Sequence, residues 1–198
     1  VGSTCSYEIF ATQLGREIPI RMRIDDLQHL PPLVIPEGYE CRPMRPDQVW
    51  AYLEVMNQSN YHGEADQAWF EGQFGKDPEY DPQNLLLIWR GDKPVAATAA
   101  WQGTTDGERM GVIHWVGAAK SERGRGLGKA IVLAAMHRLR ERGFEKAYLI
   151  TQDWRMPAIN TYLGLGFRPW YTERGNREVW ERVLANLEDW REYGKPAS

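Results

Sequence analysis

The sequence predicts a mixed α/β fold, in which a central sheet carries helices on both faces, with a β extension before it and a helix after it. Short runs with alternating apolar and polar residues have the period of a strand, as in 18–24. Longer runs with apolar residues three and four apart have the period of a helix, as in 49–56. From Tyr39 onward the runs follow the order β-α-α-β-β-β-α-β-α-β, which differs from the strict alternation of a doubly wound dinucleotide fold.

Length and composition narrow the class of protein. The 198 residues and the 42% hydrophobic content fit one domain, 38–195, with a small extension, 1–37. The net charge of −3 gives no reason to expect binding to nucleic acid or to an anionic membrane. No apolar run reaches the ~18–20 residues of a membrane span, and no secretory signal is visible. Since Cys5 and Cys41 form neither a disulfide framework nor a metal-ligand pattern, we expect a cytoplasmic protein without a metal ion.

The N-terminal extension is predicted to be a β-hairpin followed by a proline-rich linker. Residues 6–13 and 17–25 have strand character, and Leu14-Gly15-Arg16 is a suitable turn between them. Prolines interrupt regular structure over 30–38. The hairpin either covers an edge of the sheet or mediates a homodimer.

The main domain is predicted to contain the following elements. The first half has a strand (39–42), two helices (46–58 and 65–74), a loop rich in proline and acidic residues (77–83) and a hairpin (85–90 with 95–101). The second half has a turn (104–109), a strand (111–118), a glycine-rich turn (123–129), a helix (130–142) that ends at Gly143, a strand (147–151), a helix (157–165) that ends at Gly166, an extended segment (167–171) and a helix (179–190).

The glycine-rich turn carries the chemistry. A strand, a turn with glycines at alternate positions and a helix direct main-chain N–H groups at one point, which suits a phosphate. A P-loop is excluded because Lys129 is followed by Ala130 and position 123 is Arg rather than Gly. The glycines run G-x-G-x-G late in the chain, which does not match the dinucleotide fingerprint. The pattern R/Q-x-x-G-x-G/A, in contrast, matches completely.

This pattern resembles the one that binds coenzyme A (CoA) in the GNAT superfamily of CoA-dependent N-acyltransferases. The resemblance extends over about 39–171 and includes a second motif, A-x-x-x-Y-x-x-x-G-F, at 158–167, while 112–118 stands where the family has its fourth strand. Residues 116–139 have some similarity to the mycothiol synthase branch. The resemblance implies a mostly antiparallel sheet and acyl transfer, with acetyl-CoA as cosubstrate and a small-molecule primary amine as acceptor.

The resemblance also implies which residues bind CoA. Main-chain groups of the turn would bind the diphosphate, and the strand before it would pair with the pantetheine arm and supply an N–H group to the thioester carbonyl. The residues so implied are Val116, Gly117, Ala118, Arg123, Gly124, Arg125, Gly126, Leu127, Gly128 and Lys129. For Lys129, a solvent-exposed helix residue is an equal alternative.

Two residues are predicted to be catalytic. Tyr162 matches the family tyrosine that protonates the departing thiolate. His114 is the first choice of base, since it is central on its strand, shares the parity of Val112, Val116 and Ala118, and has an ordinary pKa near ~6.5. A core tyrosine and a packed strand histidine are the alternatives.

Other acids and histidines are weaker candidates for the base. His62, Glu64 and Asp153 are alternatives, whereas His29 and His137 are given no role. The chain departs from the family at Arg155, where Asn is frequent, at Ile150, where some members have Glu, and in a helix where the last strand is usual. Because no Cys or Ser lies in a nucleophile motif, direct attack in a ternary complex is expected.

Several readings of the acceptor and the activity stay open. Trp50, Trp69, Trp101 and Trp115 either line a cleft for an aromatic or apolar amine or serve in packing alone. The acidic loop 77–81 either attracts a cationic acceptor or is simply solvated. A longer thioester or a hydroxyl acceptor is another reading. The alternative of a different class is a non-catalytic CoA-binding sensor or interaction module.

Overall fold

The structure, a computed structural model, describes residues 18–59, 63–171 and 176–193. The strands within them are β1 (Pro19–Ile24), β2 (Glu40–Pro43), β3 (Leu85–Arg90), β4 (Lys93–Thr105), β5 (Glu108–Ala118), β6 (Ala147–Gln152) and β7 (Arg168–Pro169). The α-helices are α1 (Val49–Gln58), α2 (Gln67–Phe70), α3 (Leu127–Glu141), α4 (Met156–Gly164) and α5 (Asn176–Tyr193). The chain divides into two compact units, one of residues 25–147 and the other of the described residues in 18–24 and 148–193.

The sheet of the first unit has the order β2-β3-β4-β5, with every pair antiparallel. A tight turn joins β4 to β5, since Asp106 and Gly107 both have positive φ, 51° and 78°, and Thr105 pairs with Glu108. This is the type I′ geometry that Asp-Gly favours, and its twist continues the twist of the strands. The turn therefore consists of two residues, and the strands extend into the segment 104–109 that was predicted to be a turn.

Helices cover both faces of this sheet. A Cβ placed on Gly111 of β5 would lie 2.9 Å from Leu139 Cδ1 on α3, so glycine permits that close approach. The ring of His114, three residues later, contacts Phe74 in the π-turn Glu71–Gly75 that continues α2. Residues three apart on a strand face opposite sides. β4 lies between the two helical layers, and its alanines at 96, 97, 99 and 100 are fully buried.

The second unit contains the strand order β6-β1-β7. β1 and β7 are antiparallel, with Met22 opposite Pro169, and the Asp153 N–H donates to the Ile18 carbonyl at 3.2 Å. β1 buries Ile20, Met22 and Ile24 and so confirms the alternation seen in the sequence. The predicted partner strand 6–13 and the turn 14–16 lie outside the described residues. The division of the chain at residue 37 stays a prediction.

These elements confirm the predicted class, a mixed α/β fold with mostly antiparallel strands, flanking helices, a β element at the N-terminal side and a C-terminal helix. In α5, Trp180, Val183 and Leu187 are buried on one stripe, as the helical spacing predicts. Of the helices that the structure describes, none combines the length and the apolar character that a membrane span requires.

Candidate active site

The glycine-rich turn leads directly into α3, which starts three residues earlier than predicted. Gly124 and Gly126 have φ of 79° and 78°, a left-handed conformation that a side chain would strain. Gly126 is the N-cap, and the first helical hydrogen bond runs from the Ala130 N–H to the Gly126 carbonyl at 3.0 Å. The N–H groups of Leu127, Gly128 and Lys129 thus precede the helical ladder and have no acceptor within it.

The space in front of this turn is open. A Cβ built on Gly124, Gly126 or Gly128 would meet no atom within 4 Å. Arg123 and Lys129 are exposed at either end of the turn. Several main-chain donors, a positive helix end and two flanking cations are a donor set that fits a diphosphate. At the other end of α3, Gly143 has φ 85° and the Phe144 N–H donates to the Leu139 carbonyl at 3.1 Å, which confirms the predicted helix end.

A β-bulge interrupts β5, the strand that precedes this turn. Ala99 pairs with His114 and Ala97 with Gly117, so that Thr98 alone lies opposite Trp115 and Val116. Trp115 has φ 50°, which is rare for a bulky side chain. Side chains hold this conformation: the Thr98 hydroxyl donates to the His114 carbonyl at 3.1 Å, and Trp115 Nε1 donates to Gln73 Oε1 at 3.2 Å. No feature of the sequence indicated the bulge.

The bulge changes which residues share a face. A Cβ on Gly117 would lie 2.7 Å from Met56 Cε on α1, in the helical layer that His114 also faces. His114 and Gly117 are three residues apart and would face opposite sides in a regular strand. The prediction that the side chains of Val116 and Ala118 lie on the same face as His114 is therefore wrong, whereas Val112 precedes the bulge and is not affected.

Past the bulge, the hydrogen bonds to β4 define which way the main chain of Ala118 is directed. The Ala119 N–H donates to the Val95 carbonyl at 2.8 Å, and Ala118 pairs with Ala96. Because hydrogen-bonded and non-bonded pairs alternate in an antiparallel ladder, the N–H and C=O of Ala118 are directed away from β4. This arrangement is suitable for an extended ligand with amide groups. The cofactor role of Val116, Gly117 and Ala118 stays a prediction.

The side chain of His114 packs against aromatic side chains. Its ring is partly buried between Trp115, at 5.2 Å between ring centroids, and Phe74, at 6.2 Å. Desolvation lowers the pKa of His114 to about 4, so that the imidazole is neutral at pH 7. The expected ordinary pKa near ~6.5 is therefore wrong, because the strand packs the ring among aromatic side chains. The role of base itself stays a prediction.

Three of the four tryptophans considered belong to one aromatic cluster. Trp69 contacts Trp115 at 4.9 Å and Phe74 at 6.4 Å, and Phe74 contacts Trp101 at 5.2 Å. Trp69 and Trp115 are partly exposed, whereas Trp101 is buried. Trp50 instead packs on Trp89 at 6.0 Å. The cluster thus adjoins His114 on the face of β5 that carries α1.

Tyr162 belongs to the other unit and is buried in α4. The second motif has a clear structural basis: Gly166 ends the helix with φ 96°, and the Phe167 N–H donates to the Tyr162 carbonyl at 3.0 Å. The rings of Tyr162 and Phe167 meet edge to face at 6.2 Å. The role of Tyr162 as an acid stays a prediction.

The side chain of the candidate Asp153 has a partner, and so do those of two histidines that are assigned no role from the sequence. Asp153 pairs with Arg182 on α5 at 3.3 Å, His29 with Asp26 at 2.7 Å, and His137 with the Pro31 carbonyl at 2.9 Å. In the acidic loop, Glu79 accepts from Gln102 and Arg109, each at 2.6 Å. Glu64 is exposed, and His62 lies outside the described residues.

Two polar side chains, one beside the glycine-rich turn and one at the bulge, were absent from the sequence prediction. Glu122, directly before Arg123, is buried and contacts three polar side chains. From the sequence, an acidic residue in a loop is expected to be exposed to solvent. Gln73 binds the bulge through Trp115. Elsewhere in the first unit, burial raises the pKa of the Cys41 thiol to about 11. Among the residues that the structure describes, no three potential metal ligands come together.

Two relatives of known sequence carry the same activity in their names. A mycothiol acetyltransferase from Acidothermus cellulolyticus is 26% identical over 87% of this chain and 58% of its own length. One from Rhodococcus erythropolis is 30% identical over 77% of this chain and 54% of its own length. The chain thus spans a little over half of the length of these relatives.

The fold has counterparts among solved structures. A GCN5-related N-acetyltransferase from Sphaerobacter thermophilus superposes with a TM-score of 0.63 at 21% identity, over 86% of this chain and 55% of that one. The sequence profile of the acetyltransferase (GNAT) family matches residues 48–167, which include α1, the bulged strand, the glycine-rich turn and the second motif. This chain therefore belongs to the GNAT acetyltransferase family.

Proposed function

We propose that this protein transfers an acetyl group from acetyl-CoA to a primary amine of a small molecule, by direct attack in a ternary complex. The observation that carries the proposal is the turn before α3, whose N–H groups at 127–129 have no helical acceptor and border open space. Arg123 and Lys129 flank these donors. A diphosphate ester is the ligand that such a turn suits. A cytoplasmic location and a homodimer belong to the same proposal.

Acetyl-CoA would supply a thioester, whose carbonyl carbon accepts the amine. In our proposal the turn binds the diphosphate and the main chain of Val116, Gly117 and Ala118 binds the pantetheine arm. The N–H of Ala118 is directed away from β4, so an amide or a thioester oxygen could accept from it. The amine nitrogen forms the new C–N bond, the C–S bond breaks, and the sulfur leaves as a thiolate that takes a proton from Tyr162.

The pKa of His114 limits how it could act as the base. The pKa of an alkylammonium, ~10.4, lies about 6 pKa units above that of the His114 imidazole. Complete transfer of a proton from the ammonium to His114 before the attack would therefore cost about 9 kcal/mol. The nitrogen becomes much more acidic once it is bonded to the carbonyl carbon. We therefore propose that His114 removes the proton as the C–N bond forms, from an amine that enters unprotonated.

Calorimetry and a panel of amines test the proposal. We expect CoA to bind the folded protein with measurable heat. We also expect at least one amine, in a panel that includes the acceptor of the mycothiol acetyltransferases, to accelerate the release of free thiol from acetyl-CoA. The absence of heat in the CoA titration would refute the proposal. Binding without turnover for any amine or hydroxyl acceptor would favour the non-catalytic module.

A further inference from the structure

Glu122 directly precedes the glycine-rich turn and has three side-chain partners. It ends the 3₁₀ turn Lys120–Glu122 and is 5% exposed. The Tyr39 hydroxyl donates to Oε2 at 2.6 Å, Arg90 Nη1 donates to Oε1 at 2.9 Å, and Arg125 Nε lies 3.3 Å from Oε2. These partners come from three segments of the same unit, namely the residue before β2, the end of β3 and the turn itself.

An acid at this position needs a physical reason. A carboxylate close to a bound diphosphate repels it, and burial of an unpaired charge is costly. Here the charge is compensated, because two guanidinium groups and a phenol surround it. The hydrogen bond from Tyr39, followed by that from Arg90, holds the pKa of Glu122 below its ordinary value. The group is therefore a charged hydrogen-bond acceptor at pH 7.

Arg125 is the partner that matters for the turn. It stands between Gly124 and Gly126, the two residues of this turn with left-handed φ, so its side chain can fix the conformation of both. Its ion pair with Glu122 also neutralises one of the positive charges of the turn. Within the described part of the chain, no ion pair is found for Arg123 or Lys129, which leaves these two charges for the phosphates.

We propose that Glu122 is a positioning residue of the CoA site. Through Arg125 it holds the glycine-rich turn in the open conformation, and through Tyr39 and Arg90 it anchors that turn to the start of β2 and the end of β3. This inference rests on the proposed binding of CoA. It adds a residue that does not itself contact the reacting atoms.

The test compares two ligands on Glu122→Gln. The amide cannot accept from all three donors and carries no charge. We expect the dissociation constant of CoA, measured by calorimetry, to rise about tenfold, while that of pantetheine, which has the arm but no diphosphate, stays within twofold. Glu108→Gln is the matched control, since it removes an exposed carboxylate paired with Lys146 at 2.8 Å. It is expected to change neither constant.

Each outcome decides between alternatives. If Glu122→Gln does not fold by circular dichroism, Tyr39→Phe takes its place, because it removes one hydrogen bond and leaves the charge; a threefold weaker affinity for CoA is then expected. Unchanged affinity for CoA in a folded variant would overturn the inference. An equal loss for CoA and pantetheine would also overturn it, in favour of a general structural role. If the wild-type protein itself binds no CoA, the proposed function fails first.

Discussion

The phenol of Tyr162 is buried at the edge of Phe167, in a helix that ends on a left-handed glycine. If Tyr162 protonates the leaving thiolate, Tyr162→Phe should lower kcat about 100-fold. The KM for acetyl-CoA should change little, because the ring keeps its packing. Steady-state kinetics with the best amine of the panel measures both. Tyr148→Phe alters another buried tyrosine of the same unit and should leave kcat as it is; an unchanged kcat in Tyr162→Phe would remove the acid role.

The desolvation of His114 makes the stability of the fold depend on pH. Its pKa is about 4 in the folded protein and near 6.5 in the unfolded chain, so the unfolded state binds more protons between these values. The free energy of unfolding should therefore rise from pH 4 to pH 6.5, with a contribution of up to about 3 kcal/mol from this group. Urea denaturation of the wild type and of His114→Asn across this range measures the difference. Identical slopes in both proteins would contradict the burial of a neutral imidazole.

At the residue scale, the surroundings of the candidate residues could not be predicted from the sequence. The neutral state of His114 depends on Phe74 and Trp115, which close around it only in the folded sheet. Glu122 accepts hydrogen bonds from Tyr39, 83 residues away in the sequence, and from Arg90, 32 residues away. Contacts over such separations leave no local pattern in a sequence.

At the scale of elements, a substitution of Gly128 should affect the stability of α3 and the binding of CoA in opposite directions. It lies in the first turn of α3 with ordinary helical φ and open space where a Cβ would be. Gly128→Ala should raise the free energy of unfolding by about 0.5 kcal/mol, since alanine favours a helix. The methyl group should also block the approach of a diphosphate and weaken CoA binding at least tenfold. Chemical denaturation and calorimetry measure the two effects.

Gly72→Ala serves as the matched control for this experiment. Gly72 is exposed in the π-turn after α2, and a Cβ there also meets no neighbour. Its substitution should leave the affinity for CoA unchanged. A Gly128→Ala protein that binds CoA as tightly as the wild type would contradict the assignment of the turn.

The elements themselves were largely predictable, because the periods of 2 and 3.6 residues and the glycine spacing are local signals. The bulge in β5 was not, since 111–118 reads as an uninterrupted apolar strand and a tryptophan gives no sign of φ 50°. Hydrogen bonds from Thr98 and to Gln73 support this conformation from neighbouring elements. A bulge of this kind follows from tertiary contacts rather than from propensity.

At the scale of the whole molecule, β1 belongs to the same compact unit as the C-terminal elements of the chain. It pairs with β7 and buries Ile20, Met22 and Ile24. Deletion of residues 1–37 should therefore remove at least about 5 kcal/mol of the free energy that these buried apolar side chains contribute. The total free energy of unfolding of a protein is roughly 5–15 kcal/mol. Thermal unfolding should show that this unit has lost its cooperative transition.

A shorter deletion, of residues 1–17, retains β1 and is the comparison for this experiment. Sedimentation of both proteins also tests the predicted homodimer. If the protein without residues 1–37 unfolds at the wild-type temperature, β1 is dispensable and the first 37 residues are an independent extension.

The half-buried Cys41 has a practical consequence for enzymology. With its pKa near 11, about one molecule in a thousand carries a thiolate at this position at pH 8, and only the thiolate reacts readily with disulfides. A chromogenic disulfide reagent that counts liberated coenzyme should therefore record a low background from this cysteine.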